Sequence, residues 1–314
     1  MAPARPGLLG YPSDNPTILA QQRKQLAAYV IQDVLEAAGR PIQINAGSVR
    51  MSVRWIHFDT EVRVSLSDAI YGRMFPRTMS GEFYHYTGVE AFKSIANEGS
   101  LRLYWLRKRM GQPIEGELVN LARLEGWHIL EADIEAAYDD PKIQDSPGSN
   151  LFYASLTKVD GGGDLWSFGP VRLHLRVDTT GKMGQLREIQ YHAPGGATLL
   201  GEINDALATK GLPPILPLSS YRMAANSVPA GFAGEAETRL LHLHFEGQPD
   251  ERQRDSDNGF YWPIPINGCC AVADVTLLGV SVNSVANLAR ACKAIENSPL
   301  SSIEPICVPP TVNH

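Results

Sequence analysis

The chain has 314 residues and a formal net charge of −6; 44% of its residues are hydrophobic and 20% are charged. This length excludes a peptide or a lone zinc finger, and the composition excludes wholesale disorder. The negative charge argues against a protein that holds nucleic acid through its phosphates, because such surfaces are usually basic.

No segment of the sequence predicts a membrane span. The longest charge-free apolar run near the C-terminus, 275–289, is shorter than the ~20 residues that a transmembrane helix needs. Residues 1–16 carry prolines where a signal peptide has its apolar run. We therefore expect a cytoplasmic protein, and delivery into the cytosol of another cell without a cleavable signal is the open alternative.

Residues 1–79 predict an N-terminal extension made of a helix and a hairpin. Apolar side chains recur at helical spacing over 17–38, and Gly39 suits the position just after a helix. Three strand-like runs follow, at 41–44, 49–58 and 61–66.

Residues 80–296 predict the main domain, and 297–314 a C-terminal tail. Six runs have the composition of strands: 83–87, 151–157, 171–177, 186–191, 238–245 and 271–282. Helices are predicted at 88–99, 197–211 and 283–295, a helical turn at 165–169, and loops at 139–150, 159–164 and 213–235. Strands and helices do not alternate regularly, so we predict an α+β fold rather than a doubly wound sheet.

Two carboxylates stand at the start of the strand predicted over 238–245. Side chains alternate along a strand, so both acids lie on the same face of it, and we expect the apolar residues of that face to enter the core. That face carries, in order, Glu235, Glu237, Arg239, Leu241, Leu243 and Phe245. Such an acid pair can hold a sugar hydroxyl and orient a nucleophile at a glycosidic carbon. The alternative is an acidic strand end that pairs with Arg239 and faces water.

Two further strands carry polar side chains of interest. His85 and Thr87 share one face of the strand 83–87, where a histidine can bond a ribose hydroxyl while a tyrosine ring stacks on a base. Ser155 lies on one face of the strand 151–157 and can brace a carboxylate or a ribose. A core histidine and ordinary strand residues are the alternatives.

Taken in this order, the motifs resemble those of the ADP-ribosyltransferase superfamily. The nearer resemblance is to a little-characterised, mostly bacterial domain family within or close to it, and it covers about 80–296. The matching residues are His85-Tyr86-Thr87, Ser155, Trp166 with Phe168-Gly169, Ile189-Gln190-Tyr191, Glu235-Ala236-Glu237-Thr238-Arg239, and the run 277–283. The resemblance implies a split β-sheet core with flanking helices.

The resemblance also implies a mono-ADP-ribosyltransferase that uses NAD as co-substrate and releases nicotinamide. NAD would contact His85, Tyr86, Thr87, Ser155 and Trp166, with Tyr86 or Trp166 near the nicotinamide. Glu237 would bind the 2′-OH of the nicotinamide ribose, with Ser155 helping to position it. Glu235 would orient an arginine of an unidentified acceptor protein, and Arg239 would pair with a neighbouring acid.

Other functions stay open at this point. Arginine-modifying members usually begin with Arg where this chain has His85, which leaves the acceptor residue open. An NAD glycohydrolase and a catalytically silent binding module are the alternatives, and an effector or toxin-like role is compatible with all three. We predict no metal site: His242 and His244 face together as an exposed or partly buried pair, but no third ligand has suitable spacing.

Overall fold

The computed structural model describes residues 15–105, 150–158, 163–192, 198–215, 220–244, 247–254 and 259–308. The α-helices in these ranges are α1 (Pro16–Ala37), α2 (Thr60–Met74), α3 (Val89–Glu98), α4 (Leu199–Ala208), α5 (Ser220–Asn226) and α6 (Val285–Ile295). The strands are β1 (Val49–Met51), β2 (Ile56–Phe58), β3 (Arg77–Thr78), β4 (Ser80–Thr87), β5 (Ser100–Trp105), β6 (Leu151–Thr157), β7 (Val171–Asp178), β8 (Gln185–Glu188), β9 (Gln190–His192), β10 (Ser227–Pro229), β11 (Glu237–Leu243), β12 (Gln253–Arg254), β13 (Phe260–Pro265), β14 (Asp274–Val282) and β15 (Ile306–Cys307). Short 3₁₀ helices span Ala46–Ser48, Gly163–Phe168 and Ala230–Glu235.

The chain divides into two compact units. The first takes the described residues up to Met74 together with those of 197–220, and the second takes the described residues of 75–196 and 221–314. Helix α4 therefore belongs to the same unit as α1. The predicted loop at 139–149 and the glycine turn at 159–162 lie outside the described residues. Among the helices that the structure describes, none is long and apolar enough to cross a membrane.

The first unit contains the predicted helix and hairpin. Helix α1 starts with Pro16, and the side chain of Asn15 accepts a hydrogen bond from the Thr17 amide at 3.0 Å. Gly39, just beyond its end, has a φ of 72°, as a left-handed helix terminus requires. Strands β1 and β2 pair antiparallel. The predicted helix is confirmed, and a hairpin is present, but both of its strands lie within the run 49–58 that was predicted as one strand.

Residues 61–66 lie in α2, so the predicted strand there is wrong. The six-residue window alternates in polarity as a strand does. Over the full helix, the buried side chains instead recur four residues apart, at Leu66, Ile70 and Met74, which is helical spacing. Residues 41–44 also form no strand.

One large, mostly antiparallel sheet forms the second unit. Its eleven described strands run in the order β12-β13-β5-β6-β4-β7-β14-β15; in addition β11 pairs with β6 and β8, and β3 pairs with β8. Helices α3 and α6 bury Phe92, Ile95, Ala291 and Ile295 in the same apolar cluster as the strand residues. Burial of each large apolar side chain stabilises the fold by roughly 1.5–3 kcal/mol. The fold is α+β, as predicted.

The sheet parts between β4 and β6. Strand β6 pairs along its whole length with β11, from Thr157↔Glu237 to Leu151↔Leu243. On its other edge, β6 meets β4 at a single pair, Tyr84↔Thr157. Strand β4 pairs instead with β7 over all eight of its residues. The two sheet halves therefore separate just beyond Tyr84, and this separation positions the site.

Several parts of the second unit were not predicted, among them β5, β12, β13 and β15. The expected loop at 213–235 contains α5, β10 and a 3₁₀ helix within its described residues. Strand β13 was missed because it carries Pro263 and Pro265. Those prolines are tolerated because β12 pairs only with Phe260 and Tyr261, so that edge of β13 needs no further ladder donors.

Candidate functional site

A cleft of about 270 Å³ opens where β4 and β6 part. Residues 84–86 of β4 form one wall, and 155–157 of β6 form another. The carboxylates of Glu235 and Glu237 lie in the same cleft as the guanidinium of Arg239. Segments that are far apart in sequence thus meet because β11 pairs with β6 while β4 diverges from it.

Most of the predicted site residues line this cleft. The lining ones are His85, Tyr86, Ser155, Glu235 and Glu237. The described wall does not include Thr87 or Trp166, both of which are buried. Trp166 packs edge-on against Tyr86, with ring centroids 5.2 Å apart, so it supports the wall from behind.

His85 is held across the gap between the two sheet halves. Its Nδ1 lies 2.9 Å from the carbonyl oxygen of Ser155. A carbonyl only accepts hydrogen bonds, so this contact requires the proton on Nδ1. In a neutral ring, Nε2 is then the nitrogen without a proton.

The aromatic wall of the cleft is backed by a cation. The guanidinium of Arg172 lies 4.9 Å from the ring centroid of Tyr84 and 5.5 Å from that of Trp166, within cation–π range.

The buried hydroxyl of Tyr86 has no hydrogen-bond partner among the described residues. Phe168, at the cleft, is 56% exposed.

Gly169 explains the end of the tryptophan turn. A Cβ at this position would overlap the Thr87 carbonyl and lie 2.8 Å from the Gly88 amide nitrogen. Only glycine lets the turn approach the end of β4 so closely. The turn that holds Trp166 is thereby seated on the strand that carries His85 and Tyr86.

Glu237 and Arg239 form a buried, bidentate ion pair. The Nε and Nη2 atoms of Arg239 donate to Oε1 and Oε2 of Glu237 at 2.9 Å and 3.2 Å. Arg239 also donates through Nη1 to the Ala225 carbonyl, and its guanidinium lies 4.6 Å from the ring centroid of Tyr153. The prediction that Arg239 pairs with a neighbouring acid is confirmed. A carboxylate has about four acceptor sites, so Glu237 keeps capacity for a ligand hydroxyl.

The backbone of Glu237 is fixed as well. Its amide donates to the phenol oxygen of Tyr191 at 2.7 Å, and its carbonyl accepts from the Ile189 amide at 3.0 Å. Sequence reasoning matched Ile189-Gln190-Tyr191 as a motif but gave it no role. The motif contacts both backbone groups of the acid expected to act on NAD.

Glu235 does not lie in the strand row that the sequence predicted. Strand β11 begins at Glu237, and Glu235 ends the preceding 3₁₀ helix. Between them Ala236 has a φ of 44°, a left-handed conformation that breaks strand alternation. Both carboxylates still reach the cleft. Burial raises the pKa of Glu235, and the nearby charge of Glu237 raises it further.

The face of β11 that enters the main core is the opposite one to that predicted. Leu240 belongs to the main cluster, whereas Leu241 packs in a smaller cluster with Leu151 and Tyr153. Phe245 lies outside the described residues. The prediction placed both acids on the core-facing row; instead, the odd-numbered face of β11 is covered by α5, from which Ala225 joins the smaller cluster.

Ser155 lies opposite Arg239 rather than Glu237. The cross-strand neighbour of Glu237 is Thr157, whose hydroxyl donates to the Glu235 carbonyl at 2.9 Å. No hydrogen bond joins the Ser155 and Glu237 side chains within the described part of the chain. A role for Ser155 in positioning Glu237 stays a prediction.

His242 and His244 are buried, at 0% and 6% exposure, which corrects the predicted exposed or partly buried pair. Their rings lie 4.3 Å and 5.2 Å from the ring of Trp262. They follow Leu240 on the core-facing side of β11, and this side buries them. Among the described residues, no group of three or more histidine, cysteine or acidic side chains is arranged to hold a metal ion.

Comparisons with protein-family models, with curated proteins and with solved structures found no significant match to this chain.

Proposed function

We propose that the protein is a mono-ADP-ribosyltransferase that moves ADP-ribose from NAD to a protein side chain, with arginine as the first candidate. The observation that supports this most is the cleft itself. Five side chains singled out by the sequence pattern meet in it, although they come from three separate segments. The buried carboxylate of Glu237 is held there by a bidentate arginine.

In the proposed reaction, NAD lies in the cleft against Tyr86 and His85. His85 lies against a ribose of the ligand, and the unpartnered hydroxyl of Tyr86 gains a partner from the ligand. Thr87 and Trp166 support this wall, and Ser155 adds a hydroxyl on the other. Buried polar groups usually have a hydrogen-bond partner. A ligand that forms a hydrogen bond with the Tyr86 hydroxyl would therefore remove the free-energy cost of leaving this group unpaired.

Glu237 acts on the nicotinamide ribose in this proposal. Its carboxylate accepts the 2′-OH and stabilises the positive charge that develops as the bond from C1′ to the nicotinamide nitrogen breaks. The bonding electron pair leaves with nicotinamide. A guanidinium nitrogen of the acceptor then bonds to C1′ and gives up a proton.

Glu235 is placed to orient that acceptor and to take its proton. A guanidinium is charged near neutral pH and must lose a proton to become a nucleophile. The raised pKa of Glu235 makes its carboxylate a better base than an ordinary glutamate. No described residue forms a hydrogen bond with this carboxylate, which leaves it open to an incoming cation.

We also propose that the protein acts in the cytoplasm, its own or that of a recipient cell, on an acceptor protein. Nucleic acid is a less suitable acceptor because the net charge is −6.

Labelled NAD and a cell lysate test the proposal. We expect label on a discrete protein band and free nicotinamide. Glu237→Gln should abolish the labelled band and leave only a small residue of nicotinamide release, whereas Glu90→Gln, at an exposed ion pair on α3, should change neither. NAD consumption that is undiminished in Glu237→Gln would refute the enzymatic role.

Glu235→Ala separates a transferase from an NAD glycohydrolase. In a transferase, this variant should lose labelled protein but keep part of its nicotinamide release. Free nicotinamide without labelled protein in the unmodified enzyme would favour hydrolysis. No turnover, with NAD still bound, would favour a silent binding module.

A further inference from the structure

Tyr191 supplies a hydrogen bond that the sheet does not. Strand β8 pairs with β11 from Gln185↔Leu241 to Glu188↔Thr238 and ends there. The next residue, Ile189, still donates to the Glu237 carbonyl. The Glu237 amide finds no partner in β8, and it donates to the phenol oxygen of Tyr191 at 2.7 Å.

The chain on both sides of this contact leaves the ladder. Beyond Ile189, strand β9 turns to pair in parallel with β10. On the other side, Ala236 adopts its left-handed φ of 44°, which costs a non-glycine residue roughly 1–2 kcal/mol. The phenol of Tyr191 on β9 therefore helps to hold Glu237, the first residue of β11, next to the strained Ala236.

The chemistry of the phenol suits this task. Its oxygen accepts the Glu237 amide proton, so its own proton remains for another acceptor. Burial raises the pKa of Tyr191, and this outweighs the hydrogen bond from the Glu237 amide, which lowers the pKa; the charges of Glu237 and Glu235 also raise it. The hydroxyl thus stays protonated at neutral pH, close to both carboxylates.

We propose that Tyr191 is a positioning residue: by fixing the Glu237 backbone, it sets the Glu237 carboxylate to accept the 2′-OH of the nicotinamide ribose. This inference rests on the proposed transferase function. The side chain of Glu237 is fixed by Arg239 and its carbonyl by Ile189, and the phenol completes the set. A displacement of about 1 Å at such a group can cost about 10²-fold in rate.

Tyr191→Phe removes only the hydroxyl and keeps the ring. We expect kcat for nicotinamide release to fall about 10- to 100-fold while KM for NAD changes less than about threefold. Tyr261→Phe is the matched control: its hydroxyl donates to Gln253 at 2.6 Å outside the cleft lining, and its loss should leave kcat unchanged. An unchanged kcat in Tyr191→Phe, or a rise in KM alone, would overturn the inference.

A double-mutant cycle shows whether Tyr191 acts through Glu237. If it does, Tyr191→Phe should cost nothing further in a Glu237→Gln background, measured on residual nicotinamide release. A further loss equal to that in the unmodified enzyme would show an independent role and reject the inference. If Tyr191→Phe fails to fold, 3-fluorotyrosine at 191, assayed slightly below neutral pH so that its hydroxyl stays protonated, weakens the hydroxyl as an acceptor; kcat should then fall while KM for NAD changes little, and an unchanged kcat would overturn the inference.

The two proposals fail in different ways. If the unmodified protein releases no nicotinamide, or if Glu237→Gln is fully active, the transferase function is wrong. If Glu237→Gln is inactive while Tyr191→Phe retains full kcat, only the positioning role of Tyr191 is wrong.

Discussion

The guanidinium of Arg239 contacts both carboxylate oxygens of Glu237, and both side chains are buried. They stand two residues apart on the same face of β11. A buried ion pair contributes less than its Coulomb energy suggests, but removal of one partner leaves the other charge buried and uncompensated.

Arg239→Met should therefore destabilise the protein strongly. We expect a loss of about 3–5 kcal/mol in the free energy of unfolding, measured by urea denaturation. The double variant Glu237→Gln/Arg239→Met should recover a large part of that loss, because no buried charge remains unpaired. Equal stability of the single and double variants would contradict the importance of this pair.

His242 should make the stability depend on pH. Burial, together with the neighbouring His244, lowers the pKa of His242 to about 4 in the folded state; the unfolded side chain titrates near 6.5. Between these values the unfolded state binds more protons, so the stabilising contribution is present above about pH 6.5 and is lost as the pH falls toward 4. The full loss is at most about 3 kcal/mol.

Chemical denaturation at pH 7 and at pH 5 measures this loss. His242→Leu should reduce the difference in stability between the two pH values. His57→Leu, at an exposed position on β2, should leave the difference as it is. A difference that is the same in His242→Leu and in the parent protein would show that another group is responsible.

Gly169→Ala should weaken both the fold and the cleft. The added methyl group meets the backbone of Thr87 and Gly88, which cannot move as a flexible side chain can. We expect a loss of about 1–3 kcal/mol in thermal or urea unfolding. Gly72→Ala, in open space within α2, should instead stabilise by about 0.5–1 kcal/mol. Equal effects of the two substitutions would contradict the close approach at Gly169.

The conformation of Ala236 predicts opposite effects for two substitutions. Ala236→Gly should leave stability unchanged or raise it by up to about 1 kcal/mol, because glycine adopts a positive φ without strain. Ala236→Val should lower it by about 1–2 kcal/mol, since a β-branched residue is rarely left-handed. Urea denaturation of both variants is the measurement, and a valine variant as stable as the parent would refute the strained geometry.

The strands of the site were predictable because their alternation and composition are local. Residues 151–157 form β6 with the predicted bounds, and the strand that carries His85 and Tyr86 and the helix after it also lie where they were predicted. Other features have no local signal. Nothing in the residue types marks Ala236 as left-handed, and the contact of Tyr191 with the Glu237 amide joins residues 46 positions apart.

The errors have similar physical causes. A six-residue window cannot tell the start of α2 from a strand, because the helical repeat appears only over its full length. Which face of β11 enters the main core depends on what covers each face, and α5 covers the odd-numbered one. The sequence predicted Glu235 and Glu237 near one another, and both line the cleft, but the prediction put them on a continuous strand that the chain does not form.

The single backbone pairing between β4 and β6 has a mechanical consequence. Ser155 and Glu237 belong to β6 and β11, which pair along their whole length, and Tyr86 belongs to β4, which meets β6 at one backbone pair and at the contact of His85 with Ser155. A molecule that contacts both β4 and β11 would add a link between these two sides of the cleft. Its binding should slow amide exchange on β4 and on β11 together, at positions that it never touches.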